Sequence, residues 1–185
     1  MSTAAQPEPS TSSWQIDPVH STAQFKVRHL MISNVKGEFT SIKGTLHLDS
    51  SDVTKSTVEA IIDTNSINTR EPQRDAHLKS ADFLEVEKFP NITLQSTRVI
   101  KKSDGGFEVE GDLTIRGVTR KVTLGVEAPS APQKDPWGGT RIGVEASTKI
   151  NRQDFGLVWN ATLETGGFMV GDEVSITLDV QFVKA

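Results

Sequence analysis

Val174-Ser175-Ile176-Thr177-Leu178-Asp179-Val180-Gln181-Phe182 alternates apolar and polar residues without a break. An extended chain turns successive side chains to opposite faces, so this stretch is a strand with one apolar and one wetted face. The same alternation recurs upstream: at Phe25 and Val27, at Leu46 and Leu48, at Val58, Ala60 and Ile62, and at Ile92 and Leu94. It continues through Phe107, Val109, Leu113 and Ile115, then Val122, Leu124 and Val126, then Ile142, Val144, Ala146 and Ile150. Only Ile61, beside Ile62, spoils a clean face. The count is roughly eight strands, many about ten residues long against a usual five or six. Long strands in that number favour an all-β, eight-stranded antiparallel barrel. Ser103-Asp104-Gly105-Gly106 and Gly117 supply tight turns between neighbours, and Gly37 and Gly44 permit bends in a barrel wall.

Around this pattern lie the interruptions. Residues 1–13 contain no Val, Ile, Leu or Phe, and read as a disordered tail before a barrel domain spanning 14–185. Thr64 to Pro90 is a long connection whose middle, residues 71–81, reads as a short helix covering one barrel end, with Pro72 acceptable only in its first turn. Pro129 to Thr140 is a loop. Asn151 to Gly171 is also a loop by pattern, yet it holds Phe155, Leu157, Trp159, Phe168 and Met169. An apolar loop of that length must pack on something, and the expectation is a lid over a ligand, with a dimer seam as the competing use.

Composition removes several classes of function. With 185 residues the chain makes one domain and one core. A formal charge of −4, with basic residues scattered, leaves no footprint for nucleic acid. The absence of cysteine excludes disulfides, thiolate metal sites and cysteine nucleophiles together. No window approaches the ~18 apolar residues of a transmembrane helix. The opening residues lack the apolar segment of a secretion leader, so the expected location is cytoplasmic as written, or periplasmic if a leader has been removed.

An eight-stranded barrel is just wide enough to be filled by its own side chains or to hold one slim guest. The inward positions are mainly Val, Ile, Leu and Ala, which leaves space for an elongated apolar molecule. The alternative is a filled barrel with no lipid in the cell, acting as a stress-related or interaction protein.

Four motifs, in order and at characteristic spacing, resemble the YceI-like proteins, a polyisoprenoid-binding, lipocalin-like group. They are Trp14-Gln15-Ile16-Asp17-Pro18-Val19-His20-Ser21 followed by Val35-Lys36-Gly37-Glu38-Phe39; Arg74-Asp75-Ala76-His77-Leu78 leading to Asp82-Phe83-Leu84; Gly111-Asp112-Leu113-Thr114-Ile115-Arg116-Gly117; and Ile150-Asn151-Arg152-Gln153-Asp154-Phe155-Gly156-Leu157. The resemblance implies a lipocalin-like barrel with a helix at one end and an apolar pore for a polyprenyl chain or isoprenoid quinone, with no other cofactor.

The expected pore lining and lid are therefore Phe25, Val27, Leu46, Leu48, Val58, Ala60, Ile62, Ile92, Leu94, Leu113, Ile142, Val144 and Leu178, with Phe155, Leu157, Trp159, Phe168 and Met169 from the long loop. Arg74 and His77, three apart on the helix, are candidates to meet a head group; the competing reading pairs Arg74 with Asp75 or Asp82. Asp17, His20 and Ser21 carry the letters of a hydrolytic triad, but their spacing supplies neither its geometry nor an oxyanion site, so a polar clasp on the first strand is expected instead. The four histidines show no metal-binding spacing. Arg152 and Asp154 are expected to pair and brace the loop root.

Overall fold

A computed structural model describes residues 10–185. Within them run β1 (Thr11–Ile16), β2 (Thr22–His29), β3 (Ser33–Phe39), β4 (Ile42–Asp49), β5 (Thr57–Asp63) and β6 (Ile67–Asn68). The helix α1 (Pro72–Lys79) follows, then β7 (Asn91–Lys101), β8 (Phe107–Ile115), β9 (Val118–Val126), β10 (Gln133–Lys134), β11 (Thr140–Asn151) and β12 (Val170–Lys184). The expected tail lies largely outside the described residues. Its last part, Thr11 to Ser13, is already strand, paired with Asp49, Leu48 and His47 of β4, in place of the expected disordered tail. Backbone pairing to β4 holds this polar stretch where side-chain burial alone does not.

Every pairing is antiparallel, and the ladder β1–β4–β5–β7–β8–β9–β11–β12 returns to β1. This is a closed barrel of eight. β2, β3 and β6 continue β1, β4 and β5 beyond a break in each, pairing β12–β2–β3–β6, so twelve segments make eight composite strands plus the two-residue β10. The breaks are adjacent in space: Ser41 donates its N–H to Ser66 Oγ at 3.1 Å, and Ser66 Oγ donates to the Asp63 carbonyl at 2.7 Å. At Gly37 and Gly44 the reason for glycine is close approach. A Cβ at Gly44 would stand 2.2 Å from the Glu59 carbonyl oxygen, and one at Gly37 would stand 2.4 Å from the Phe25 ring.

The helix is shorter than the residues 71–81 expected. Pro72 occupies its first turn and the Glu71 carboxylate accepts the N–H groups of Gln73 and Arg74, satisfying donors that have no partner within the helix. At the other end Ser80 Oγ donates to the His77 carbonyl at 2.6 Å. α1, the β2–β3 turn, the β8–β9 turn and the β11–β12 connection share one end of the barrel, termed upper here. β1 begins, and β12 finishes, at the lower end.

The interior divides in two. Trp14, Ile16, Ile42, Ile142, Val180 and Phe182 form a buried cluster across the lower half, with Leu46, Leu48, Val58 and Val144 packed against it. A second cluster, including Ile67, Phe83, Leu84, Ile92, Leu113, Ile115 and Phe155, rings the upper half without filling it. Tying the outer wall together near the lower half, Asp17 accepts from Arg141 and lies 2.9 Å from His20 Nδ1, while Arg141 Nε donates to Asp135 at 2.8 Å. Ser21 turns away from His20: its Oγ accepts the Gln181 N–H at 3.0 Å, which fixes the corner between β1 and β2 to β12.

Candidate functional site

Above the lower plug the barrel encloses a hollow of ≈ 470 Å³. Ala23, Ile42, Ala60 and Leu178 border both the plug and the hollow and so make its floor. The cavity is blind at that end, and its mouth lies among α1, β2 and the β11–β12 connection.

Of the expected strand positions, Phe25, Val27, Ala60, Ile62, Ile92, Leu94, Leu113 and Leu178 line the hollow. Leu46, Leu48, Val58, Ile142 and Val144 do not; they face inward as expected but lie too low, and Trp14 and Phe182 occupy the space in front of them. From the long loop, Leu157, Trp159 and Met169 reach the cavity. Phe155 is a wall residue, 2% exposed in the upper cluster, and Phe168 points outward with 58% of its surface in water. Val122, Ile150, Val174 and Ile176, which belong to the same alternation but lie outside the expected lining, also border the hollow. Phe83 and Leu84 line it from an irregular segment after α1, where no periodicity signals which way a side chain turns.

The mouth combines aromatic and polar groups. The His77 ring stands edge-on to Trp159 at 4.6 Å and to Phe83 at 5.1 Å, and its Nε2 lies 2.8 Å from an Asp82 carboxylate oxygen. Both His77 and Arg74 border the cavity. Arg74 donates from Nε to Thr69 Oγ1 at 2.8 Å and from Nη2 to the Thr69 carbonyl at 2.9 Å; Thr69 in turn donates its N–H and its hydroxyl to Asp75. Thr69 thus stands between Arg74 and the expected carboxylate Asp75, and among the described residues Arg74 makes no ion pair within 4 Å. Two of its donors are spent on fixing the side chain against the segment before α1, which aims the guanidinium at the cavity rim.

Arg152 organises the loop. It is 4% exposed and donates from Nη1 to the carbonyls of Leu157 at 2.5 Å and Trp159 at 2.9 Å, and from Nε to that of Gly171 at 2.8 Å. Its Nη2 reaches the Val170 carbonyl and the Asp172 carboxylate, each at 3.3 Å. The expected partner Asp154 is exposed and makes no ion pair with it; the 3₁₀ turn Arg152–Phe155 turns it away. Burial pushes the Arg152 guanidinium down from its ordinary pKa, and Asp172 opposes that shift. A single buried cation therefore pins both ends of the apolar connection, placing Leu157 and Trp159 at the cavity. Among the described residues no three His, Asp or Glu side chains converge, and no helix is long and apolar enough to cross a membrane.

Comparison with known proteins agrees with this architecture. A UPF0312 protein of Vibrio vulnificus is 39% identical over 138 residues, covering 75% of this chain and 72% of that protein. A Campylobacter jejuni YCEI protein of known structure superposes with a TM-score of 0.69 at 29% identity, over 83% of this chain and 87% of the other. A polyisoprenoid binding domain from Saccharophagus degradans shares the fold, with a TM-score of 0.68 at 16% identity over 94% and 99% of the two chains. The family model for the YceI-like domain matches residues 14–182, and on that match, together with the closed eight-stranded barrel, the chain belongs to the YceI-like family.

Proposed function

We propose that the protein is a non-enzymatic carrier of an isoprenoid lipid, a polyprenyl chain or an isoprenoid quinone, whose tail lies in the blind cavity. The observation that carries this reading is the division of the interior: the lower half is plugged by Trp14 and Phe182, and the upper half is hollow and lined mainly by aliphatic and aromatic side chains, with polar groups at its mouth. The polyisoprenoid binding of the Saccharophagus domain points to the same class of guest.

Size and energy decide which part of the guest matters. An apolar cavity of ~150 Å³ takes one six-carbon ring, so ≈ 470 Å³ accepts roughly eighteen carbons, or three to four isoprene units. Each five-carbon unit contributes about 4 kcal/mol of apolar transfer before association costs. One polar contact at the mouth nets about 0.5–1.5 kcal/mol. The tail dominates affinity, and several head groups are accepted. Arg74 and His77, which border the cavity beside Arg28, His29, Glu71 and Gln73, are our candidates to touch such a head group.

Organic extraction of protein purified from its native host, followed by mass spectrometry, tests the proposal. Stoichiometric isoprenoid supports it; a lipid-free extract from protein whose cavity has stayed closed to detergent refutes it and leaves the interaction-protein alternative. A short head-group analogue that competes as well as the full lipid would likewise refute tail-dominated binding.

A further inference from the structure

The upper end carries apolar residues that the cavity does not use. The turn between β2 and β3 exposes Met31 at 60% and Ile32 at 76%, and the neighbouring connection exposes Phe168 at 58%. These tips form one patch. Leu30 donates its N–H to the Met169 carbonyl at 2.8 Å, and the Met31 sulfur lies so close to Gly167 that a Cβ there would stand 2.4 Å from it.

The turn itself breaks a local rule. Leu30 and Met31 hold φ values of +49° and +61°, a pair of left-handed positions where two-residue hairpins normally place Asn-Gly. The chain here keeps large apolar residues in strained backbone and in contact with water. Local inconsistency of this kind is characteristic of a functional surface.

Behind the tip, the outer face of the same hairpin is basic. Lys26 and Lys36 are directly opposite one another in the β2–β3 register, a like-charge pairing that disfavours the sheet, and Arg28 follows on the same face. Among the described residues none of the three makes an ion pair within 4 Å. Of the nearby acids, Glu173 pairs with Lys149 at 3.0 Å and Asp172 with Arg152, while Glu38, two residues from Lys36 on the same face, and Glu164 of the adjoining loop offset part of the positive charge. At ~3.4 Å per residue and a strand tilt of ~40°, the backbone of Arg28 sits ~8 Å behind the tip, its Nη2 reaching forward to donate to the Met31 carbonyl at 3.2 Å, with Lys36 and Lys26 ~10–13 Å behind the tip.

From this arrangement we infer that the upper rim docks on an anionic bilayer, with Met31, Ile32 and Phe168 entering the acyl boundary and Lys26, Arg28 and Lys36 reaching the phosphate layer. Interfacial apolar groups insert ~5–10 Å, which brings those cations within a Debye length of the lipid surface. A protein partner would need a complementary face of about 800 Å², whereas a bilayer accepts separate protruding tips. The patch adjoins the cavity lining at Val27, His29, Met169 and Val170, so docking would bring that side of the mouth toward the source of the guest. The purpose of docking rests on the carrier reading; the surface itself does not.

Flotation of the full chain with vesicles tests the inference, using phosphatidylcholine alone or with about a third phosphatidylglycerol. Association with the anionic vesicles is expected at ~0.1 M salt and is weakened at ~1 M. Lys26→Gln with Lys36→Gln should lower it about 25-fold, about fivefold per cation, without lowering the melting temperature, since the change relieves a like-charge pairing. Met31→Asn with Ile32→Ser and Phe168→Ser should lower it at least tenfold while the fold is retained. Failure of the wild type to float, or flotation of the tip variant at the wild-type level, overturns the docking surface; so does loss of a wild-type dimer in the tip variant without any vesicle binding. Lipid found by extraction in protein that does not float refutes docking alone, and flotation of protein that never holds lipid refutes the carrier reading alone.

Discussion

Replacing Ala60 with phenylalanine tests the cavity at its floor. Ala60 sits in β5 between Gly44 and Leu94 in the sheet register, borders the hollow and contacts the lower plug. The added ring occupies about 150 Å³ of the ≈ 470 Å³ available, which is about one third. The remaining space holds roughly twelve carbons, one isoprene unit fewer than before. At about 0.8 kcal/mol per buried methylene, the loss for a guest that fills the wild-type cavity is at most about 5 kcal/mol. Because the ring enters vacant space, the empty variant should be as stable as the wild type or more so, in contrast to overpacking of a filled core, which costs about 1–3 kcal/mol. The assay is displacement of a fluorescent fatty ligand by a series of prenols of increasing length. Wild-type affinity should tighten with each unit up to three or four units and then level off, and the variant should level off one unit earlier. Equal plateaus for a folded variant and the wild type would show that the guest does not lie in this cavity. Wild-type affinity indifferent to tail length would refute the energetic argument itself.

Three further outcomes follow from the same structure. Arg152→Met should leave the Leu157, Trp159 and Gly171 carbonyls without their donor, costing about 2–4 kcal/mol, and should raise amide exchange across residues 156–171 well before the barrel strands. Arg141 holds the Asp17 and Asp135 carboxyls below the usual carboxylate range, Asp17 with help from His20. Depressed carboxylates stabilise the fold above the ordinary Asp pKa of about 3.9 and lose that contribution as pH falls through it toward the lower folded values. The wild type should therefore lose denaturation stability from about pH 5 downward more steeply than Arg141→Met, and parallel curves would contradict the linkage. Of the three tryptophans, Trp14 is buried in the plug and Trp137 is 85% exposed, so an emission shift on adding a prenol should come from Trp159 at the mouth and vanish in Trp159→Phe.

Alternation made the barrel legible, because inward and outward positions differ by one residue and the pattern runs through β7, β8, β9, β11 and β12 with few breaks. It carries no information on height along the barrel axis. Leu46 and Leu94 look alike in sequence, yet one faces Trp14 and the plug while the other faces empty space. Height is set by which large side chains arrive from neighbouring strands, a property of register rather than of any one segment. The apolar loop hid its sorting for another reason. Phe155, Trp159 and Phe168 share composition, but a 3₁₀ turn buries the first, the Arg152 hydrogen bonds aim the second, and the bridge between Thr162 and Phe168 turns the third outward. The donors that decide this come from one guanidinium, whose local spacing suggested Asp154 rather than backbone carbonyls gathered from both ends of the loop.

The solid floor made by Trp14 and Phe182 constrains traffic as well as capacity. A tunnel open at both ends can conduct, passing cargo through from one side to the other. A dead-end shaft can only ferry: its passenger backs out along the path it took inward, hydrocarbon end first to arrive and last to depart. On the carrier reading proposed above, any acceptor would have to grasp the polar end while the chain is still sheathed, and release should slow with every carbon that has to be drawn past the aromatic rim.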